Sequence, residues 1–353
     1  MKTKGTHVVG IGGGTGLSVL LDGLRRCAAS SRGPAAPLEI SAIVSVADDG
    51  GSTGNLREHL GIPAVGDLRN CIVALAQGEP LWSELFQYRF AGGNGLHGHA
   101  LGNLIVAALA QSTGGLNTAV DRLSRPLRMR GRVLPVTERL VALCAELEGG
   151  EVVAGESAIP GRGARIRRVW LDPARPEPGG GVLEALADAD AIVLGPGSLY
   201  TSIVPNLLVA GVAEAIRDAS ALKILVCNLM TQPGETDGFD ASDHLAVVEQ
   251  YLGRFVVDVC LVHGPAPPPR VEERFAAAGA EPVRWSRRSL TEAGVVPVAS
   301  DLLSRGPVPG RHDPERLGRM VVSLARSLRR RRSVAAPVGV GPSDLPRPLA
   351  TGA

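Results

Sequence analysis

The stretch "VVGIGGGTGLSVLL" has the composition of an anion cradle: an apolar strand runs into glycines and then into an apolar helix. Small residues let backbone N–H groups approach an anion at the positive end of a helix, and a threonine hydroxyl adds a donor. Gly13, Gly14, Thr15 and Gly16 are therefore candidate ligands of a phosphate or diphosphate. Two known cradles are excluded. A dinucleotide fingerprint needs G-x-G-x-x-G, but the frames starting at Gly10, Gly12 and Gly14 end on Thr15, Leu17 and Val19. A P-loop ends on Gly-Lys-Ser/Thr, and the only lysines are Lys2, Lys4 and Lys223. The alternative is a tight turn that holds no ligand, although consecutive glycines carry a high entropy cost for a mere connection.

Further polar groups follow other apolar runs. In "VADDGGSTG", Asp48 and Asp49 stand at a strand end, where carboxylates accept from ribose hydroxyls or hold Mg²⁺. The competing reading is an Asp-Gly turn with one of the two acids capping the next helix. In "GDLRN", Asp67 suits a helix cap, and Arg69 is either a phosphate-pairing guanidinium or the partner of Asp67. "GLHGHALGN" holds His97 and His99 but lacks a third metal ligand at helical or strand spacing, so His99 and Asn103 read as hydrogen-bonding groups at a helix start. In "GPGSLYTSIVPNLL" the G-x-S-x-G order of a nucleophile elbow is absent. Ser198, Thr201 and Ser202 there suit anion contacts, and Asn206 suits base or sugar recognition; a plain polar turn is the alternative. "NLMTQPGETDGF" offers Asn228, Thr231 and Glu235 for the same crevice or for stabilising an irregular loop.

These groups need elements that bring strand ends together. Apolar runs of strand length, "THVVGI", "LEISAIVSVA", "ADAIVLG", "ALKILVC" and "VVDVCLVH", alternate with Ala/Leu-rich helical patterns. This predicts an α/β fold with a doubly wound, mostly parallel sheet, whose ligands lie at the carboxyl ends of the strands. From about residue 127 to 171 the pattern changes to short strands separated by Gly and Pro, as in a hairpin-rich insertion. One domain over residues 1–325 is predicted, and residues 326–353 read as a disordered Arg/Pro-rich tail.

Aromatic residues make up only 3% of the chain, so the core must be built from Ala, Val, Leu and Ile. The formal charge of +2 is misleading as a sign of a basic surface. The tail alone carries six arginines against one aspartate, a net of +5, which leaves −3 on the remainder. Nucleic-acid binding is therefore not expected. Cys27, Cys71, Cys144, Cys227 and Cys260 are scattered without a C-x-x-C pair and read as free thiols of a reducing compartment. No apolar run reaches the ~18 residues of a membrane span, and a cytoplasmic protein is expected.

Together, "GGGTGLSVLL", "VADDGGSTGNLR", "GDLRNCIVALA", "GHALGNL", "GPGSLYTSIVPNLL" and "NLMTQPGETDGF" closely resemble the YvcK-type gluconeogenesis factors. Those are homologous to CofD, the 2-phospho-L-lactate transferases of deazaflavin-coenzyme synthesis. The resemblance spans about residues 8–324. It implies a CofD-like, Rossmann-like fold and a cytoplasmic protein that binds uridine-diphosphate sugars, notably UDP-N-acetylglucosamine. It further implies support of cell shape and peptidoglycan synthesis during gluconeogenic growth, through a cell-wall or regulatory protein partner, with homo-oligomers open. By position, residues 13–16 match the nucleotide loop, Asp48 the strand-end acid, Asn206 the PNLL motif, and Arg311 in "RHDPERL" an arginine used toward the nucleotide sugar. Phe275 stands where relatives often carry Tyr, which keeps ring stacking but loses a hydroxyl. The alternative that the resemblance implies is a phospho-acyl transferase in which Asp48 and Asp49 hold Mg²⁺ across the donor diphosphate.

Overall fold

The computed structural model describes residues 5–30, 37–93, 95–306 and 310–335. Seven strands form one parallel sheet: β1 (Thr6–Gly12), β2 (Leu38–Val44), β3 (Arg132–Pro135), β7 (Ala191–Leu194), β8 (Leu222–Val226), β9 (Val259–His263) and β10 (Val296–Ser300). Their spatial order is β10-β9-β8-β7-β1-β2-β3. The sheet is parallel: its central strands are apolar on both faces, and helices in the connections between strands cover it. All residues of β1 are buried, as are all of β7.

The chain winds outward from β1 through β2 to β3, then returns to the other side of β1 and winds outward from β7 to β10. The direction reverses between β1 and β7, and their carboxyl ends therefore diverge around a crevice. The glycine loop leaves β1 there, and "GPGS" leaves β7 on the other side.

The antiparallel strands β4 (Ala142–Leu147), β5 (Val152–Ala154) and β6 (Ile166–Asp172) form a separate sheet in the order β5-β4-β6. This is the insertion expected from the sequence, with a later start. The strand in "GRVLPVT", which alternation alone groups with the hairpins, instead extends the main sheet beside β2, because Val133 and Leu134 are buried there.

Helix α1 (Gly14–Ser30) packs against α3 (Gly66–Leu75) and against the C-terminal helix Pro314–Ala335, with α2 (Gly51–Leu60) lying between β2 and α3 in the chain. The α1 crossing with the C-terminal helix is as close as backbone permits. A Cβ on Gly23 would lie 1.9 Å from the Pro314 carbonyl oxygen, and one on Gly318 would lie 2.4 Å from the Gly23 carbonyl carbon. The C-terminal helix runs beyond residue 325 to Ala335, so the first part of the segment read as a disordered tail is helical; arginine is a good helix former. Residues 336–353 of that segment lie outside the described residues.

Among the described residues no single helix is long and apolar enough to cross a membrane. The segments Leu199–Leu207 and Val212–Asp218 together have the length and composition, but they meet at 79° and their apolar residues are buried in the fold. The five cysteines are free thiols, four of them buried.

Candidate functional site

A cavity of about 460 Å³ opens at the β1/β7 switch point, a volume typical of small-molecule sites. Its floor is the turn from β1 into α1. Gly14 has φ +58°, a conformation that suits glycine, and its N–H donates to the carboxylate of Asp67 in the first turn of α3. The remaining glycines are explained by close approach. A Cβ on Gly13 would lie 2.4 Å from Asp67 Oδ2, and one on Gly16 would lie 2.2 Å from the Pro196 carbonyl oxygen. The loop is thus wedged between α3 and the strand-end turn of β7.

Of the residues predicted from the sequence, Gly13, Gly14, Thr15, Gly16, Asp48, Ser198, Asn228 and Arg311 line this cavity. Asp48 Oδ1 accepts from Gly50 N–H at 2.9 Å, so it both shapes its turn and faces the cavity. A hydrogen-bonded chain fixes the opposite wall: Asn228 Oδ1 accepts from Gly197 N–H (3.4 Å), Asn228 Nδ2 donates to Gln232 Oε1 (3.2 Å), and Gln232 Nε2 donates to Ser198 Oγ (2.8 Å). Ser198 is therefore held by an amide. The segment entering the C-terminal helix supplies Arg311 and His312. Among the described residues the Arg311 guanidinium has no ion-pair partner, whereas burial pushes His312 down to about 4 and leaves a neutral ring against the Cys227 carbonyl.

Four predicted residues lie elsewhere. Asp49 turns away from the cavity, and its Oδ1 accepts from Ser157 N–H at 2.9 Å. Arg69 is buried beneath α5 (Leu101–Thr113, the helix following Pro80–Gln87, α4), where Nη2 donates to Asn70 Oδ1 at 2.7 Å. Asn103 is 2% exposed and donates to Ser52 Oγ, which also meets His99 Nδ1; the His99 and Asn103 pair thus fastens α2 to α5. Asn206 is fully buried and donates to the carbonyls of Gly12 (3.2 Å) and Ser202 (2.7 Å). It ties the end of β1 to the segment after β7 from behind the cavity. Asn206→Ala is expected to cost about 2 kcal/mol, read as a lower urea midpoint, because two buried hydrogen bonds are lost.

The divergence of Asp48 and Asp49 also bears on magnesium. The two carboxylates do not converge, and among the described residues no group of three or more His, Cys, Asp or Glu has the geometry of a metal site. The Asp48–Asp49 pair does not fit that role.

Two acids that sequence patterns did not single out as ligands complete the cavity. Asp67, expected as a helix cap, makes no capping bond and instead lines the floor. Burial, and then the charge of Asp48, push its carboxyl up to about 7. Glu156 arrives from the insertion, and burial followed by Asp48 likewise pushes it up to about 7. Glu235, raised by burial, stays behind the wall, accepting from Thr201 Oγ1 (3.0 Å) and Tyr200 N–H (3.3 Å). "GDLRN" signalled Asp67 but not its direction. Nothing local marks Glu156.

The cavity therefore has two characters. Loop amides and Arg311 favour an anion, while Asp48, Asp67 and Glu156 favour hydrogen-bond donors such as hydroxyls. A polyhydroxylated phosphate ester combines both.

Residues 8–303 match the family described as 2-phospho-L-lactate transferase CofD. The chain is 49% identical over 295 residues to the gluconeogenesis factor of Halalkalibacterium halodurans, covering 84% of this chain and 88% of that one. Against the gluconeogenesis factor of Bacillus subtilis it is 44% identical over 315 residues, covering 89% and 96%. A crystal structure of a member of the upf0052 family from Bacillus halodurans superimposes with a TM-score of 0.85 at 45% identity, covering 91% of this chain and 99% of that one.

Proposed function

Since the chain belongs to the CofD family, on the branch whose members are called gluconeogenesis factors, we propose that it is a cytoplasmic regulatory protein that binds a nucleotide sugar, UDP-N-acetylglucosamine above all. In this reading it couples that ligand to cell shape and peptidoglycan synthesis under gluconeogenic growth, acting on a cell-wall or regulatory protein. The observation that carries the proposal is the convergence of the 13–16 loop and Arg311 on a cavity whose other wall is rich in carboxyl groups. The loop amides receive the diphosphate, Arg311 neutralises its outer oxygens, and the carboxyl groups take the sugar and ribose hydroxyls.

A binding role also agrees with the side-chain chemistry. Ser198 faces an amide rather than a base, and His312 is held neutral against a backbone carbonyl. The transferase reading asks Asp48 and Asp49 to share a metal, and Asp49 is committed to Ser157. Its test is incubation with a nucleotide donor, Mg²⁺ and a deazaflavin acceptor, in which phosphorylated product would displace the binding reading.

Calorimetric titration tests the proposal directly. UDP-N-acetylglucosamine is expected to bind, and Arg311→Ala to weaken it about tenfold, the loss of one charge-assisted contact. Absence of heat and of any thermal shift at millimolar ligand would overturn it.

A further inference from the structure

The insertion's place in the fold gives the carboxylate cluster a more specific role. Among the described residues, Glu156 is the single residue of the 142–172 insertion that lines the cavity. It sits on a short turn, Glu156–Ala158, docked against the main domain at two points. At one, Asp49 Oδ1 accepts from Ser157 N–H, and Gly155, at φ +100°, approaches so closely that a Cβ there would lie 2.6 Å from Asp49 Oδ2. At the other, a Cβ on Gly234 would lie 1.9 Å from the Pro160 carbonyl oxygen. Ile159, between them, is fully buried. Contacts this tight fix the turn, and the Thr201 hydroxyl, which donates to Glu235 Oε1, lies within hydrogen-bond reach of the Glu156 carboxyl as well.

A carboxyl group beside Asp48 and Asp67 repels phosphate. What it offers a ligand is hydrogen bonding to hydroxyl or amide N–H groups. We propose that the docked turn is a specificity element: Glu156 hydrogen-bonds the sugar portion of the ligand, distinguishing it from the bare nucleotide, and Asp49 is the positioning residue that holds Glu156 there. The inference rests on the nucleotide-sugar reading and names the group that reads the sugar. It also gives the second aspartate of "DDGG" a function without ligand contact.

The test is calorimetry of the full chain with UDP and with UDP-N-acetylglucosamine. Glu156→Gln is expected not to weaken UDP and to lower the advantage of the sugar-bearing ligand over UDP about tenfold. Asp49→Ala is expected to give the same selective loss, and Asp49→Asn, which keeps an acceptor for Ser157 N–H, to restore discrimination. A merely structural role for Asp49 would move the melting midpoint and both affinities together. An unchanged ratio of the two affinities in Glu156→Gln overturns this inference while leaving the binding function intact. Failure of the unsubstituted protein to bind either ligand overturns the function itself, and this inference with it.

Discussion

Gly16→Val is expected to abolish ligand binding and to cost about 4 kcal/mol of stability, the upper part of the range for a single substitution. The new Cβ would lie 2.2 Å from the Pro196 oxygen, 2.6 Å from its carbonyl carbon and 2.8 Å from Gly197 Cα. These are backbone atoms at the end of a buried strand, so they cannot rotate aside. Gly16 cannot withdraw either, since it lies in the first turn of α1, which is packed on α3 and on the C-terminal helix. Relief would come only by tilting α1, and that carries the loop amides out of the cavity. Gly13→Ala supplies the comparison. Its close neighbour is a side-chain oxygen, Asp67 Oδ2, which can turn away, so a smaller loss is expected. Urea unfolding and calorimetry of the two variants measure the difference, and equal penalties would show that the Pro196 contact is not the constraint.

Asp67→Asn should stabilise the protein above pH 7 and tighten anion binding. Burial and Asp48 raise the folded-state carboxyl from 3.8 to about 7. A raised carboxyl means that the folded state holds its proton over the window from about pH 4 to 7 while the unfolded chain has released it, so folding stability falls as pH rises through that window. The asparagine keeps an acceptor for Gly14 N–H without the charge. The two proteins should therefore match near pH 4 and diverge by about 4 kcal/mol in favour of the variant at pH 8. The ionised carboxylate of the unsubstituted protein also competes with a diphosphate for the Gly14 amide. Affinity for UDP should rise about tenfold in the variant at pH 8 and little at pH 5.5, since one charge removed near the anion corresponds to roughly 1.4 kcal/mol. Unfolding curves and titrations at the two pH values decide it. An unchanged pH profile would show that Asp67 does not titrate in this range.

The fold was legible because the strands at the centre of its sheet are buried on both faces and announce themselves as apolar runs, whereas β10, with Val296 and Ala299 exposed, gives no such signal. The glycine loop, Asp48, Ser198 and Asn228 were legible as cavity-lining candidates because each follows such a run directly. What could not be read was side-chain direction. Asp48 and Asp49 are adjacent in sequence and point to different places, because Ser157, more than a hundred residues away, claims the second. Asn206 has the chemistry of a base-recognising amide, yet it is spent on the carbonyls of Gly12 and Ser202. Glu156 belongs to the antiparallel sheet by sequence and to the cavity only by docking. The start of the insertion was misplaced for a related reason: a short apolar strand looks the same whether its neighbour is a hairpin or the edge of the main sheet.

The crossing at Gly23 and Gly318 governs how the site behaves as a whole. Arg311 stands just ahead of Pro314, whose carbonyl occupies the space a side chain at position 23 would need, and Gly16 lies two turns earlier on the same helix. The cation and the amide cradle are consequently tied together through a backbone contact between two helices, a steric constraint that carries no charge of its own. Their separation should hold across ionic strength and acidity, leaving the binding charges free to respond to those conditions while the scaffold between them does not.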